Sequence, residues 1–271
     1  MLAWAEHAYG ATVTFNMLGG DPSYATFGRS VIDPVTGLRV NTNSMQGGRF
    51  KLSNLGTGSY TGDFKGPDPL FWAFCIEPRE TIANGIHTLD LVPLEQGTSN
   101  IGGMGVAKAN KLKELFGRFY PDFSQPLTVV AAGALQIAVW EIVRENSGVL
   151  NIYSGDIYFY SSTGTTSGVL ALAQSYVQAI DGTGPKAKGL VALYKVGTQD
   201  LVVQLEPQAV PEPSSLLLSA LGLLALPAVY LLTRWLVAVP ALLVEGIGPV
   251  AALGRSWRLT RRNIWRCLGF N

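Results

Sequence analysis

Apolar positions along this chain change period three times, and each change marks a different kind of element. Residues 11–17 alternate and are rich in β-branched side chains, which predicts a strand. Residues 18–69 carry many Gly, Pro, Asn and Asp, with strand candidates at 38–42 and 47–53. The aromatic run of residues 70–77, Leu-Phe-Trp-Ala-Phe-Cys-Ile-Glu, predicts a buried strand, and 87–92 a further one. From Val106 the period becomes helical. Ala109, Leu112, Leu115, Phe116 and Phe119 share one face, with lysines opposite. A second helix is expected after Ser124, as cap, with Pro126 in its first turn, running to about Glu145. It is apolar nearly all round yet interrupted by Gln136 and Glu141, which suits burial inside a domain and not a bilayer. A third helix is expected at 168–180, and 190–196 with 200–205 read as a closing hairpin turning at Gly197. Strands, then helices, then strands imply an α+β, β-rich domain with antiparallel sheet and about three helices.

Beyond Leu205 the pattern stops being that of a folded domain. Residues 207–215 hold three prolines and predict an extended linker. Leu216 to Leu232 carries no charge, and with Ser214 and Ser215 it just reaches membrane-spanning length. A C-terminal transmembrane helix over 214–234 is therefore expected, closed by Arg234. Residues 235–271 are again apolar, but hold Glu245 and Pro240, and end in a band of arginines beside Trp257, Ile264, Trp265 and Leu268. Such a tail suits a helix lying on an anionic membrane. A single crossing leaves the large domain outside and the arginines in the cytoplasm. This extension reads equally as genuine or as a fused fragment of a membrane protein.

Composition refines this picture in two places. The net charge is only +1 over 271 residues, and no basic stripe marks the first 200, so a nucleic-acid partner is not expected. The two cysteines, Cys75 and Cys267, would lie on opposite sides of a membrane, which removes the simple disulfide. Residues 1–10 lack a charged start and a full apolar stretch. They read as the remnant of a signal peptide cleaved near Ala8 or Ala11, or as a true start. Residues 11–206 then form the exported domain.

The ordered series Val210-Pro211-Glu212-Pro213-Ser214-Ser215, an apolar helix and Arg234 resembles the PEP-CTERM sorting signal of Gram-negative bacteria. That resemblance implies an exosortase as partner, cutting near Pro211, Glu212 and Pro213 as the protein reaches the cell surface. It also implies association with extracellular polysaccharide, biofilm or floc. In that family the basic cluster ends the protein, whereas here the chain continues.

Phe74-Cys75-Ile76-Glu77 in the aromatic strand and Leu135-Gln136-Ile137-Ala138-Val139-Trp140-Glu141 in the buried helix resemble the thioester domains of bacterial surface adhesins. The resemblance implies a covalent bond between Cys75 and Gln136 that a surface amine on a partner opens. Separately, each has a plainer role, a small core hydrophobe and a hydrogen-bonded core amide. Glu77 and Glu141 flank the motifs as candidate proton carriers, with exposed surface charge as their plainer role.

No other pattern is as specific. His7 and His87 have no metal-ligand spacing, no cofactor is implied, and Gly102-Gly-Met-Gly lacks the lysine of a phosphate loop. Asp122, Glu141 and Glu145 are available to an enzyme acting on glycans, but nothing pairs them. The expected function is an exported, membrane-anchored or exosortase-processed surface protein acting in adhesion or matrix association. The competing classes are an integral membrane subunit and an extracellular glycan-active enzyme.

Overall fold

The computed structural model describes residues 9–33, 36–98 and 102–207, and in the C-terminal part 231–232, 235 and 238–261. The chain divides into two units, Met1–Gln208 and Ala209–Asn271.

The first unit is built on β-sheet. Six strands close into an antiparallel barrel in the order β1 (Thr12–Gly20), β4 (Phe50–Asn54), β5 (Leu70–Cys75), β9 (Leu201–Gln204), β8 (Leu190–Tyr194), β6 (Gly85–Pro93). The ring closes because β1 pairs with β4 on one side and with β6 on the other. A second sheet of three strands has β2 (Ala25–Ile32) between β3 (Arg39–Gly47) and β7 (Ile157–Tyr160). Helices α1 (Gly105–Phe119), α2 (Val129–Arg144) and α3 (Val169–Gln178) complete the unit, with a 3-10 turn at Leu94–Gln96.

Alternation explains how the barrel fills. Val13, Phe15 and Met17 of β1 join Leu52, Phe71, Ala73, Leu89, Leu91, Leu193 and Val203 in one buried cluster. The in-between residues of the strands facing the helices, Phe74, Ala192 and Val202, belong to a second cluster with α1, α2 and α3. Strands β5, β8 and β9 are thus covered on both faces, which is why their sequences are continuous apolar runs and not alternating ones.

Helix α2 runs through the second cluster and is buried all round from Ala132 to Arg144. Its small residues set its distance from the sheet: a Cβ added to Gly133 would sit 2.3 Å from the Ala25 side chain of β2. The helix starts later than the sequence suggests. Thr128 is the cap, its Oγ1 accepting from the Ala131 N–H at 3.1 Å, while Ser124 instead bonds Asp122. Pro126 disfavours helical geometry in the residue before it, so the turn cannot begin at Ser124.

A buried cation ties the barrel to the start of α2. Arg49, only 3% exposed, donates to the carbonyls of Asp21, Phe123 and Gln125 and to the Tyr120 hydroxyl. It pairs with Asp21 at 3.3 Å and lies over the Trp72 ring.

These observations correct the expected fold class. The first unit is a β-rich closed barrel with an added three-stranded sheet, not the expected α+β domain. The chain has five helices among the described residues, and none of them is long and apolar enough to cross a membrane. The reason sequence reading missed the barrel is that closure rests on pairings far apart in the chain, such as Phe15 with His87 and Val92 with Ala192. Strand β2 was also missed, because Gly28, Arg29 and Ser30 break its apolar pattern although Arg29 and Ser30 are buried. The span expected over 214–234, with the sorting residues Pro211, Glu212, Pro213 and Arg234, lies outside the described residues apart from 231–232.

In the second unit, α4 (Ala238–Glu245) and α5 (Pro249–Thr260) are joined by Arg255, whose Nε donates to both Glu245 carboxylate oxygens at 3.2 and 3.3 Å. Gly248 and Pro249 start α5, as expected of a proline in a first turn.

Candidate functional site

Cys75 is the last residue of β5 and is fully buried as a free thiol. On one side the strand pairs with β9, and Ile76 continues that ladder through its N–H to the Asp200 carbonyl at 3.0 Å. On the other side β4 ends its pairing at Phe50 with Ala73. The next backbone groups on that edge are those of Cys75, and a buried peptide group left unpaired there would cost on the order of 1–3 kcal/mol.

Gln136 takes the place of the missing strand. Its Nε2 donates to the Cys75 carbonyl at 2.7 Å, and its Oε1 accepts from the Cys75 N–H at 3.0 Å. Room for it comes from Gly47, where an added Cβ would lie 3.1 Å from Gln136 Cγ and 2.7 Å from Phe27 Cζ. Trp140 follows Gln136 by four residues on α2 and so points the same way. Its Nε1 donates to Cys75 Sγ at 3.3 Å. The thiol donates to the Glu77 carbonyl at 3.2 Å, and the amide Nε2 of Gln199 reaches Sγ at 2.6 Å.

Charge surrounds this cluster without touching the sulfur. The Arg29 guanidinium of β2 lies 5.7 Å from the centre of the Trp140 ring and donates to the Pro78 carbonyl. Burial pushes the Cys75 thiol well above its ordinary range; the Trp140 and Glu77 hydrogen bonds and the charge of Arg29 oppose that shift. Burial likewise lowers the pKa of Arg29 and of Arg144, and the nearby Glu77 carboxylate raises that of Arg144.

Of the residues singled out from sequence, Cys75, Gln136 and Glu77 are brought together. Glu141 is not. Its Oε1 accepts from the Asn151 N–H at 2.8 Å, in the loop after α2, and its Oε2 is buried without a hydrogen-bond partner. Burial first, then the charges of Glu145 and Asp156, push its carboxyl up to about 8. Both Glu77 and Glu141 are fully buried, so surface charge is not their role. Asp122 pairs with Lys65 and bonds Ser124, while Glu145 accepts from the Ser147 and Asp156 N–H groups; Asp122 is not gathered with the other two carboxylates. His87 bonds the Ala83 carbonyl and packs near Phe15. Among the described residues no cluster of His, Cys, Asp and Glu could hold a metal ion.

Three contributors were not read from sequence: Arg29, Trp140 as a donor, and Gln199. Trp140 had a signal, its four-residue spacing from Gln136. Gln199 had none, because a glutamine beyond a glycine turn looks like any loop residue.

One amide and an indole N–H thus converge on a buried thiol whose backbone a second amide holds, and no protein-family model, curated protein or solved structure matches the chain.

Proposed function

We propose that this chain is an exported bacterial surface protein whose barrel unit forms a Cys75–Gln136 thioester and uses it to attach covalently to an amine on a partner surface or matrix. The observation that carries the reading is the placement of the Gln136 amide against the backbone of the cysteine itself.

That placement supplies the parts the reaction needs. Sγ attacks Gln136 Cδ, and the oxygen that gains negative charge is already held by the Cys75 N–H, in the manner of an oxyanion hole. The Cδ–Nε2 bond breaks, and the amide nitrogen leaves as ammonia with the thiol proton. Held geometry replaces a chance encounter. The product is an acyl thioester lined by Trp140 and Phe27, both nearly or fully buried, which keeps water away. An incoming amine attacks Cδ, the Cδ–Sγ bond breaks, and the sulfur takes up the amine's proton. One turnover leaves a stable amide on Gln136, so this is attachment and not repeated catalysis.

The sorting residues Pro211, Glu212 and Pro213 belong to the same proposal. Exosortase processing there would deliver the unit to the cell surface, where adhesion and association with exopolysaccharide are its expected roles.

Intact mass of the full chain tests the thioester. A mass short by one ammonia, restored in Cys75→Ala, is expected. A full mass with Cys75 alkylated after unfolding would leave Gln136 as a core amide closing the edge of β5, and the protein as a noncovalent surface component.

A further inference from the structure

The buried sulfur poses a problem for any amine that must reach it: Cys75, Gln136 and Trp140 are each 0–1% exposed. Of the three polar neighbours of Sγ, Glu77 is fully buried and Trp140 sits mid-helix. Gln199 alone belongs to a hairpin turn, of which residues 195–198 reach solvent. That turn joins β8 to β9, with Gly197 at φ +77° and Val196 74% exposed. It is pinned at its ends by the Lys195 N–H on Asp200 Oδ1 at 2.9 Å and by the Thr198 N–H on the Lys195 carbonyl at 3.1 Å. Gln199 itself turns inward, 5% exposed, and spans the gap to the sulfur.

We propose that Gln199 is both the gate over the Cys75–Gln136 site and a catalytic hydrogen-bond donor to its sulfur. The inference rests on the thioester reading for its chemistry. While the thioester forms, the attacking sulfur must carry negative charge in a pocket that disfavours it, and the N–H groups of Gln199 and Trp140 offset that cost. During opening, the electron pair of the Cδ–Sγ bond returns to the sulfur, which leaves as a thiolate held by the same two donors and then takes the amine's proton. Rotation of the Gln199 side chain about its own χ angles, with the turn staying pinned, opens a path for an unbranched primary amine such as a lysine side chain.

Two substitutions separate cover from donation. Gln199→Leu keeps the bulk and removes the donor; Gln199→Ala removes both. In the full chain held in detergent, the probe is methylamine and the readout is its uptake by intact mass. Loss of a hydrogen bond to a charged sulfur is expected to slow uptake in Gln199→Leu by roughly tenfold or more. Gln199→Ala should take up methylamine faster than Gln199→Leu, because the path is open. Equal rates in wild type and both variants would overturn the inference, and so would peptide mapping that placed the acyl link on Gln199 instead of Gln136.

Failure of the thioester itself reads differently. A wild-type chain of full mass removes the chemistry but not the gate, which iodoacetamide then tests on the free thiol. Faster alkylation of folded Gln199→Ala than of wild type and Gln199→Leu supports the gate; equal rates refute it.

Discussion

Gln136 acts on Cys75 as a strand would, accepting from its N–H at 3.0 Å and donating to its carbonyl at 2.7 Å, from the middle of a helix. The contact has a structural duty in the unreacted chain; once Nε2 leaves as ammonia, only the Oε1 half of it can remain. Gln136→Ala leaves both backbone groups buried without partners and opens a cavity. A loss of about 2–5 kcal/mol is expected in urea unfolding of the barrel unit. A loss under about 0.5 kcal/mol would mean that water or a shifted backbone replaces the amide.

Gly47→Ala tests the space reserved for that amide. The new methyl would meet Phe27 Cζ at 2.7 Å and Gln136 Cγ at 3.1 Å. Overpacking of this kind costs about 1–3 kcal/mol, and displacement of Gln136 should also lower the fraction of chains that lose ammonia. Thermal midpoint and intact mass report the two effects separately.

Trp140→Phe removes an indole donor while keeping most of the ring. It should slow ammonia loss with Gln136 in place, and should barely change the far-ultraviolet circular dichroism. Unchanged kinetics of ammonia loss would show that the 3.3 Å contact to Sγ is packing alone.

Glu141 gives a pH signature away from the site. Its carboxyl is raised from an ordinary 4.5 to about 8, so the folded state binds more protons than the unfolded state between those values. Stability from this group is therefore fully present below about pH 4.5 and falls as pH rises towards 8, at up to ~1.4 kcal/mol per pH unit. Glu141→Gln keeps an acceptor for the Asn151 N–H and should flatten that slope, making the variant the more stable of the two at pH 8. Denaturant melts at several pH values would refute this if the two slopes matched.

Arg49→Met should cost about 3–5 kcal/mol, because Asp21 and three carbonyls lose a common donor. Arg49→Lys should rescue little, since one ammonium cannot reproduce the fork. The measurement is again the unfolding midpoint, with recovery by lysine as the contrary result.

Much of the local structure was legible from the chain because it obeys local rules. The 3.6-residue pattern marked α1 and α3, and the uniform apolar surface of α2 announced its burial. Cys75 and Gln136 were legible as a pair through their short motifs, and the fold places them in contact. The barrel was not legible, because β1 must find both β4 and β6, and no periodicity records which strands meet. Gln199 and Arg29 escaped for a related reason. Each acts at the sulfur's surroundings from a segment distant in sequence, and neither carries a pattern in its own neighbourhood.

The position of β9 has a mechanical consequence. An amine captured through the proposed chemistry hangs on Gln136, whereas a tether through the proposed sorting segment would pull on the chain beyond Leu205. Tension between those points enters the barrel through β9, a four-residue strand laced to β5 on one flank and β8 on the other. Peeling it away requires both laces to give together, so under drag the barrel resists as a seam stitched on two sides.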